Sequence, residues 1–180
     1  MTTLQLLGMK HTGKSSLGRL WAARHGWDFY DLDALLEAQA GGDRTSRQIF
    51  QNEGPGGFQK YEARAAAFIA PRLAQGRAVL AWGGGTITNP EAVRALQSVG
   101  ILVLLTDRVE VLYERILRTG RPAFLSVEHP WEDFQALYRE RTALLESTTP
   151  YRIDLAGASP EEGCDELQTL WNSIHLNGNS

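Results

Sequence analysis

The chain has 180 residues, 43% of them hydrophobic, and a formal net charge of −3. That length and apolar content suit one globular domain with a full core, and the charge implies no basic tail for nucleic acid. No apolar run nears the ~20 residues needed to span a bilayer, and a single cysteine, Cys164, excludes an intrachain disulfide and points to a reducing cytoplasm.

The N-terminus enters a strand directly, without a basic-then-apolar leader. Thr3 to Leu7 is a short, mostly apolar run that suits a buried strand. Gly8 to Ser15 follows as Gly-Met-Lys-His-Thr-Gly-Lys-Ser, which fits the phosphate-binding pattern G-x-x-x-x-G-K-[ST]. Gly8 and Gly13 let the backbone turn tightly, so that its N–H groups point at phosphate oxygens. Lys14 can reach the β- and γ-phosphates and Ser15 can ligate Mg²⁺. Ser16 to Arg24 then places Leu17, Leu20 and Trp21 at helical spacing, and the N-terminus of that helix adds partial positive charge.

Further along, Trp27 to Tyr30 reads as a second strand and Leu32 to Ala38 as a helix, broken by Gly41-Gly42. Thr45 can cap a short helix through Phe50. Gly54 to Gly57 is a Pro-containing break, and a long Ala-rich helix runs from about Phe58 to Ala74 and closes at Gly76. Arg77 to Trp82 is the third strand and ends in Gly83-Gly84-Gly85. Asn89-Pro90-Glu91 starts a helix that Gly100 ends. Ile101 to Leu105 is a buried strand, and Asp107 opens a helix through Leu117. Arg118 to Pro130 reads as a mobile loop, Trp131 to Glu146 as an amphipathic helix and Tyr151 to Leu155 as the last strand. Ser159 to Glu162 is a capping box for the final helix, which takes in Cys164. Residues from about Leu176 onward look frayed. This alternation argues for an α/β fold with a parallel sheet.

Ligands in such sheets bind beyond the carboxyl ends of the strands. The phosphate loop lies at one such end. Asp31-Leu32-Asp33 lies at a second, where one carboxylate can help hold Mg²⁺ and the other can orient an acceptor hydroxyl, or one can simply cap the next helix. Gly83-Gly84-Gly85 lies at a third, as a site of close backbone approach or as a plain loop. Arg115, Arg118 and Arg121 cluster around the mobile loop, and an Arg delivered by a closing loop suits phosphoryl transfer. Arg118 is better read as part of a solvated helix face. Arg139 and Arg141 are two apart, so at most one of them points at the site. The four histidines lack metal-ligand spacing; His25, His129 and His175 read as surface residues, while His11 lies in the phosphate loop. The five tryptophans read as packing residues.

Taken together, these residues resemble the shikimate kinase family over almost the whole chain. The resemblance rests on the phosphate loop, Asp31-Leu32-Asp33, Ile49-Phe50 with Gly54 and Phe58-x-x-x-Glu62, Gly83-Gly84-Gly85, Arg121-Pro122 and Arg141. It implies a three-layer, nucleoside-monophosphate-kinase-like P-loop fold with a five-stranded parallel sheet. An acceptor-binding subdomain would cover about residues 32–75 and a lid about 118–130. It also implies an ATP- and Mg²⁺-dependent kinase that converts shikimate to shikimate 3-phosphate, acting as a cytoplasmic monomer without membrane or nucleic-acid partners.

By the same resemblance, Gly8, Lys10, His11, Thr12, Gly13, Lys14, Ser15 and Ser16 surround the nucleotide phosphates and Arg115 lies near adenine. Ser15 and Asp31 serve the metal. Asp33 contacts the acceptor hydroxyls and can act as base, and Arg121 approaches the transferring phosphate. Gln59, Gly84, Gly85, Arg141 and Lys10 face the acceptor. The sequence departs from the family pattern at Gly54-Pro55, at Gln59 (where the family has a carboxylate-binding Arg), at Lys10, His11 and Trp82, and at Ala123-Phe124. Lys10 can supply the charge that Gln59 lacks. A relative acting on another hydroxy acid or a hydroxy amino acid such as homoserine, and a non-catalytic nucleotide-binding regulator, are the competing readings.

Overall fold

The structure is a computed structural model and describes residues 3–118, 120, 122 and 125–177. Strands β1 (Thr3–Leu7), β2 (Asp28–Asp31), β3 (Ala78–Ala81), β4 (Ile101–Thr106) and β5 (Arg152–Asp154) form one five-stranded sheet in the order β2-β3-β1-β4-β5. Every pairing is parallel: Leu4 lies opposite Val79 and Ile101, Tyr30 opposite Leu80, and Leu105 opposite Ile153. Every residue of the central strand β1 is buried, as expected where helices cover both faces.

Side chains alternate between two cores. Leu4, Leu6, Val103 and Leu105 pack with Leu17 and Trp21 of α1 (Lys14–His25) and with Cys164 and Leu167 of α7 (Pro160–Asn177). Leu80, Leu102 and Leu104 face the other way. They meet Leu36 of α2 (Leu32–Gln39), Ala65, Ala66 and Ile69 of α3 (Ser46–Ala74) and Leu96 of α4 (Pro90–Leu96). A smaller cluster joins Met9 and Leu125 to α5 (Val109–Arg118) and α6 (Pro130–Thr148) through Leu112, Ile116 and Phe134. No helix among the described residues is long and apolar enough to cross a membrane.

Local signals locate most helix ends. Thr45 caps α3 in a full capping box with Gln48, and Ser159 and Glu162 exchange hydrogen bonds at the start of α7. The break expected over Gly54–Gly57 narrows to Gly54 alone, at φ 68°, ψ −179°. A side chain is strained at that φ, whereas Pro55 then fits the first turn of the second segment because it needs no N–H partner there. His25 departs from the surface position expected for it. Its ring stacks on Trp21 with centroids 4.0 Å apart and shares hydrogen bonds with the Trp21 carbonyl and Gln168.

Gln5 is a buried polar residue in the middle of the sheet. Its amide N–H groups donate to the carbonyls of Leu96 and Val99, and its Oε1 accepts the Trp82 indole N–H at 2.7 Å. Trp82 is thus mainly a core residue, 2% exposed, although it also reaches the cleft described below. Trp82→Phe would leave the Gln5 oxygen buried without that donor. The expected cost is about 1–3 kcal/mol, read as a lower denaturant midpoint with an unchanged slope.

Candidate active site

The chain leaves β1 at Leu7 and turns through residues 8–13 into α1. The Thr12 hydroxyl donates to the Met9 carbonyl at 2.9 Å, which closes the loop. The buried Lys14 side chain folds back so that its ammonium donates to the carbonyls of Gly8 at 3.0 Å and Met9 at 2.8 Å. Burial pulls its pKa down to about 8; Asp33 and Asp31 oppose that shift, and Lys10 adds to it.

His11 stands at the loop tip with φ 67°. Its carbonyl accepts from Arg115 Nη1 at 3.0 Å, and Asp107 Oδ2 holds the same nitrogen at 3.0 Å. Arg115 therefore braces the loop from α5, whatever else it contacts. Burial lowers the His11 pKa, helped by the charges of Lys10, Lys14 and Arg115.

Asp31 caps the next helix, the structural alternative weighed for its region, and also binds Ser15. Its Oδ1 caps α2 by accepting from the N–H groups of Asp33 and Ala34, and its Oδ2 accepts the Ser15 hydroxyl at 2.5 Å. Asp33 lies beside the glycine loop. Burial raises its pKa to about 6, the Asp31 charge adds to the rise, and Lys14 opposes it.

The glycine loop admits no side chain at its first two positions. A Cβ on Gly83 would lie 2.7 Å from Asp33 Oδ1 and 2.9 Å from Thr86 Oγ1. A Cβ on Gly84 would lie 2.8 Å from the Lys10 nitrogen. Gly83→Ala must therefore displace Asp33 or the loop. A fall in kcat of about ten-fold or more is expected from such misplacement, checked by steady-state kinetics on a protein whose melting shows that it is folded.

Behind this loop lies Glu62, 2% exposed, which accepts from the Thr86 hydroxyl at 2.6 Å and from the Asn89 amide at 2.8 Å. Burial raises its pKa, and those hydrogen bonds with the Arg141 charge oppose the rise. Arg141 donates to the Gly84 carbonyl at 3.2 Å, while Arg139 stays exposed and bonds to the Gln135 carbonyl on its own helix. Only one of the two thus turns inward, as their spacing requires. The Arg141 Nε is buried and has no hydrogen-bond partner among the described residues.

These groups surround a cleft of about 610 Å³ at the carboxyl ends of β1, β2 and β3, a size typical of small-molecule sites. Lys10, Lys14, Ser15, Asp31, Asp33 and Gly84 line it together, with His11, Thr12, Gly13, Ser16 and Arg115 around the phosphate loop. Arg118 lines it too while staying exposed, as expected for a solvated helix position. Gln59, Gly85 and Arg141 are not on the cleft wall; the Gln59 amide donates to the Thr88 carbonyl at 3.4 Å. Arg121, expected in the lid, lies outside the described residues.

Two supporting residues were given no site role in the sequence reading, where Glu62 enters only as part of the family pattern and Asp107 only as the start of a helix. Asp107 follows β4 at a strand's carboxyl end, where a ligand-side role is expected. Glu62 shares a buried stripe with Ala65, Ala66 and Ile69 at helical spacing, so its charge was out of place on that face.

No three His, Cys, Asp or Glu side chains among the described residues group as a metal site. The Ser15 hydroxyl and Asp31 carboxylate are nonetheless adjacent hard oxygen donors. That set fits Mg²⁺, which takes few protein ligands when phosphates and water supply the rest.

Comparison with known proteins gives a consistent result. The family model "Shikimate kinase" matches residues 10–171. The shikimate kinase of Thermodesulfovibrio yellowstonii is 32% identical over 167 residues, covering 93% of this chain and 93% of that protein. The shikimate kinase of Actinobacillus pleuropneumoniae is 37% identical over 142 residues, covering 78% and 79%. Among solved structures, shikimate kinase from Acinetobacter baumannii in complex with shikimate superposes with a TM-score of 0.84. It is 29% identical and covers 98% of this chain and 94% of that one.

Proposed function

We infer that this chain, which belongs to the shikimate kinase family, is an enzyme that transfers the γ-phosphoryl group of ATP to a hydroxyl of shikimate. The observation that carries this reading is the single cleft shared by the phosphate loop and Asp33. It allows donor and acceptor to meet without either crossing the sheet.

The roles proposed here are supported by the shape of the cleft and by the family resemblance. The backbone N–H groups of residues 12–16 face the phosphates at the start of α1, where the helix dipole favours anions. Lys14 exchanges its contacts with loop carbonyls for phosphate oxygens. Ser15 and Asp31 would hold Mg²⁺, which would draw charge from the transferred group. Arg115 keeps the loop tip in place and offers its plane toward adenine. Asp33 accepts the proton of the attacking hydroxyl as the new O–P bond forms and the bond from the γ-phosphorus to its bridging oxygen breaks. Arg121, from the lid assigned to about 118–130, takes charge on the transferring phosphoryl. Gly84, Gly85 and Arg141 receive the acceptor, with the subdomain at about 32–75 as its outer wall and Gln59 behind the glycine loop.

The reading includes a cytoplasmic monomer. Cys164 is free and buried, which suits a reducing compartment. The exposed large apolar side chains are dispersed over α3, α5, α6, α7 and the segment before α6, which favours no single docking face.

ADP release with Mg-ATP and shikimate, beside homoserine and a panel of small hydroxy acids, tests the function. Turnover on shikimate above the others is expected. Turnover confined to another acceptor would overturn the assignment.

A further inference from the structure

The acceptor carries one carboxylate. Asp31 and Asp33 line the cleft that must take it, and Glu62 lies behind its glycine loop. Gln59 is neutral and its amide is engaged by Thr88. Lys14 is committed to the phosphate loop. Arg141 is set behind the glycine loop, where it donates to the Gly84 carbonyl.

Lys10 is placed differently from the other lysine of its loop. It is exposed, it lines the cleft, and it makes no hydrogen bond or ion pair with a described residue. Its main chain and Cβ lie against Gly84, where an added Cβ would come within 2.9 Å of the Lys10 Cβ. The carbonyl of that same Gly84 takes the Arg141 guanidinium. Lys10 and Arg141 therefore approach a single glycine from two elements, the phosphate loop and α6.

We propose that Lys10 is a specificity-determining residue that joins Arg141 in holding the acceptor carboxylate across Gly84. The chemistry suits both side chains: the arginine fork supplies directional hydrogen bonds, and the lysine supplies a mobile point charge on a flexible stem. The buried Arg141 Nε has no hydrogen-bond partner among the described residues. A consequence is that the phosphate loop, usually a nucleotide element, reads the acceptor as well.

This rests on shikimate as the acceptor. The test compares the full-length wild type with Lys10→Met and Lys10→Arg. Lys10→Met is expected to raise the KM for shikimate about ten-fold, while the KM for ATP moves less than about two-fold. Lys10→Arg should restore most of the loss. The methyl ester of shikimate, which lacks the charge, should bind wild type and Lys10→Met equally in calorimetric titrations. An unchanged KM for shikimate in Lys10→Met, an equal rise for ATP, or an ester that feels the substitution as strongly as the acid would overturn the role of Lys10 alone. A wild type that turns over another acceptor and not shikimate would overturn the acceptor assignment and this proposal with it.

Discussion

Lys14→Ala is expected to lower kcat for ADP formation by about a thousand-fold or more, because phosphoryl transfer depends almost wholly on positioning and on charge placed against the phosphates. Lys14 is the one buried cation of the phosphate loop, and its ammonium is already desolvated against the Gly8 and Met9 carbonyls. A charge in that setting interacts far more strongly with a phosphate than a solvated one does. Burial also holds its pKa near 8, so binding an anionic phosphate must favour the charged form. The KM for ATP is therefore expected to rise as pH passes above about 8. Loss of activity through unfolding is separable, since a buried ammonium costs desolvation: the melting temperature of Lys14→Ala should hold or rise. Retained turnover in a folded Lys14→Ala protein would overturn the phosphate-loop assignment.

What the sequence made legible was local. The loop at Gly8–Ser15 could be read because its ligand-binding groups are contiguous and flanked by a strand and a helix. The sheet was legible because a central parallel strand such as Thr3–Leu7 shows as an apolar run. The capping role of Asp31 was foreseeable, because capping is a matter of a few residues. Contacts made by folding were not. Nothing near Gly83 in the chain announces that Asp33 and Thr86 will fill the space of its missing Cβ. Nothing near His11 shows that Asp107 will aim Arg115 at its carbonyl. His25 was misread because its stacking partner lies one helical turn back and its second hydrogen bond comes from Gln168, far along the chain. The break at Gly54 was located, but its extent was not. Gly56 and Gly57 suggest a loop by composition, yet they continue the helix once Pro55 has restarted it.

Asp33→Asn should separate catalysis from stability in opposite directions. The amide keeps the shape and can still contact a hydroxyl, but it cannot accept its proton as a carboxylate does. A fall in kcat of about a hundred-fold or more is expected, with a smaller change in the KM for shikimate. The stability effect follows from the raised pKa. Folding moves this carboxyl from an ordinary 3.8 to about 6, chiefly by burial and then by the neighbouring Asp31 charge. Between those values the folded protein holds a proton that the unfolded chain has released. Its contribution to stability is thus fully present below about 4 and is lost as pH rises through 6. In metal-free protein, Asp33→Asn and the wild type should unfold alike near pH 4, and the variant should become the more stable of the two as pH rises to 7. Denaturant midpoints across that range give the comparison. A variant that loses activity and is also less stable at pH 7 would mean that Asp33 is a structural carboxylate satisfied by its neighbours. The expected result, an inactive protein that is harder to unfold, would mean that the fold bears a half-buried charge beside Gly83 because the reaction needs a base there.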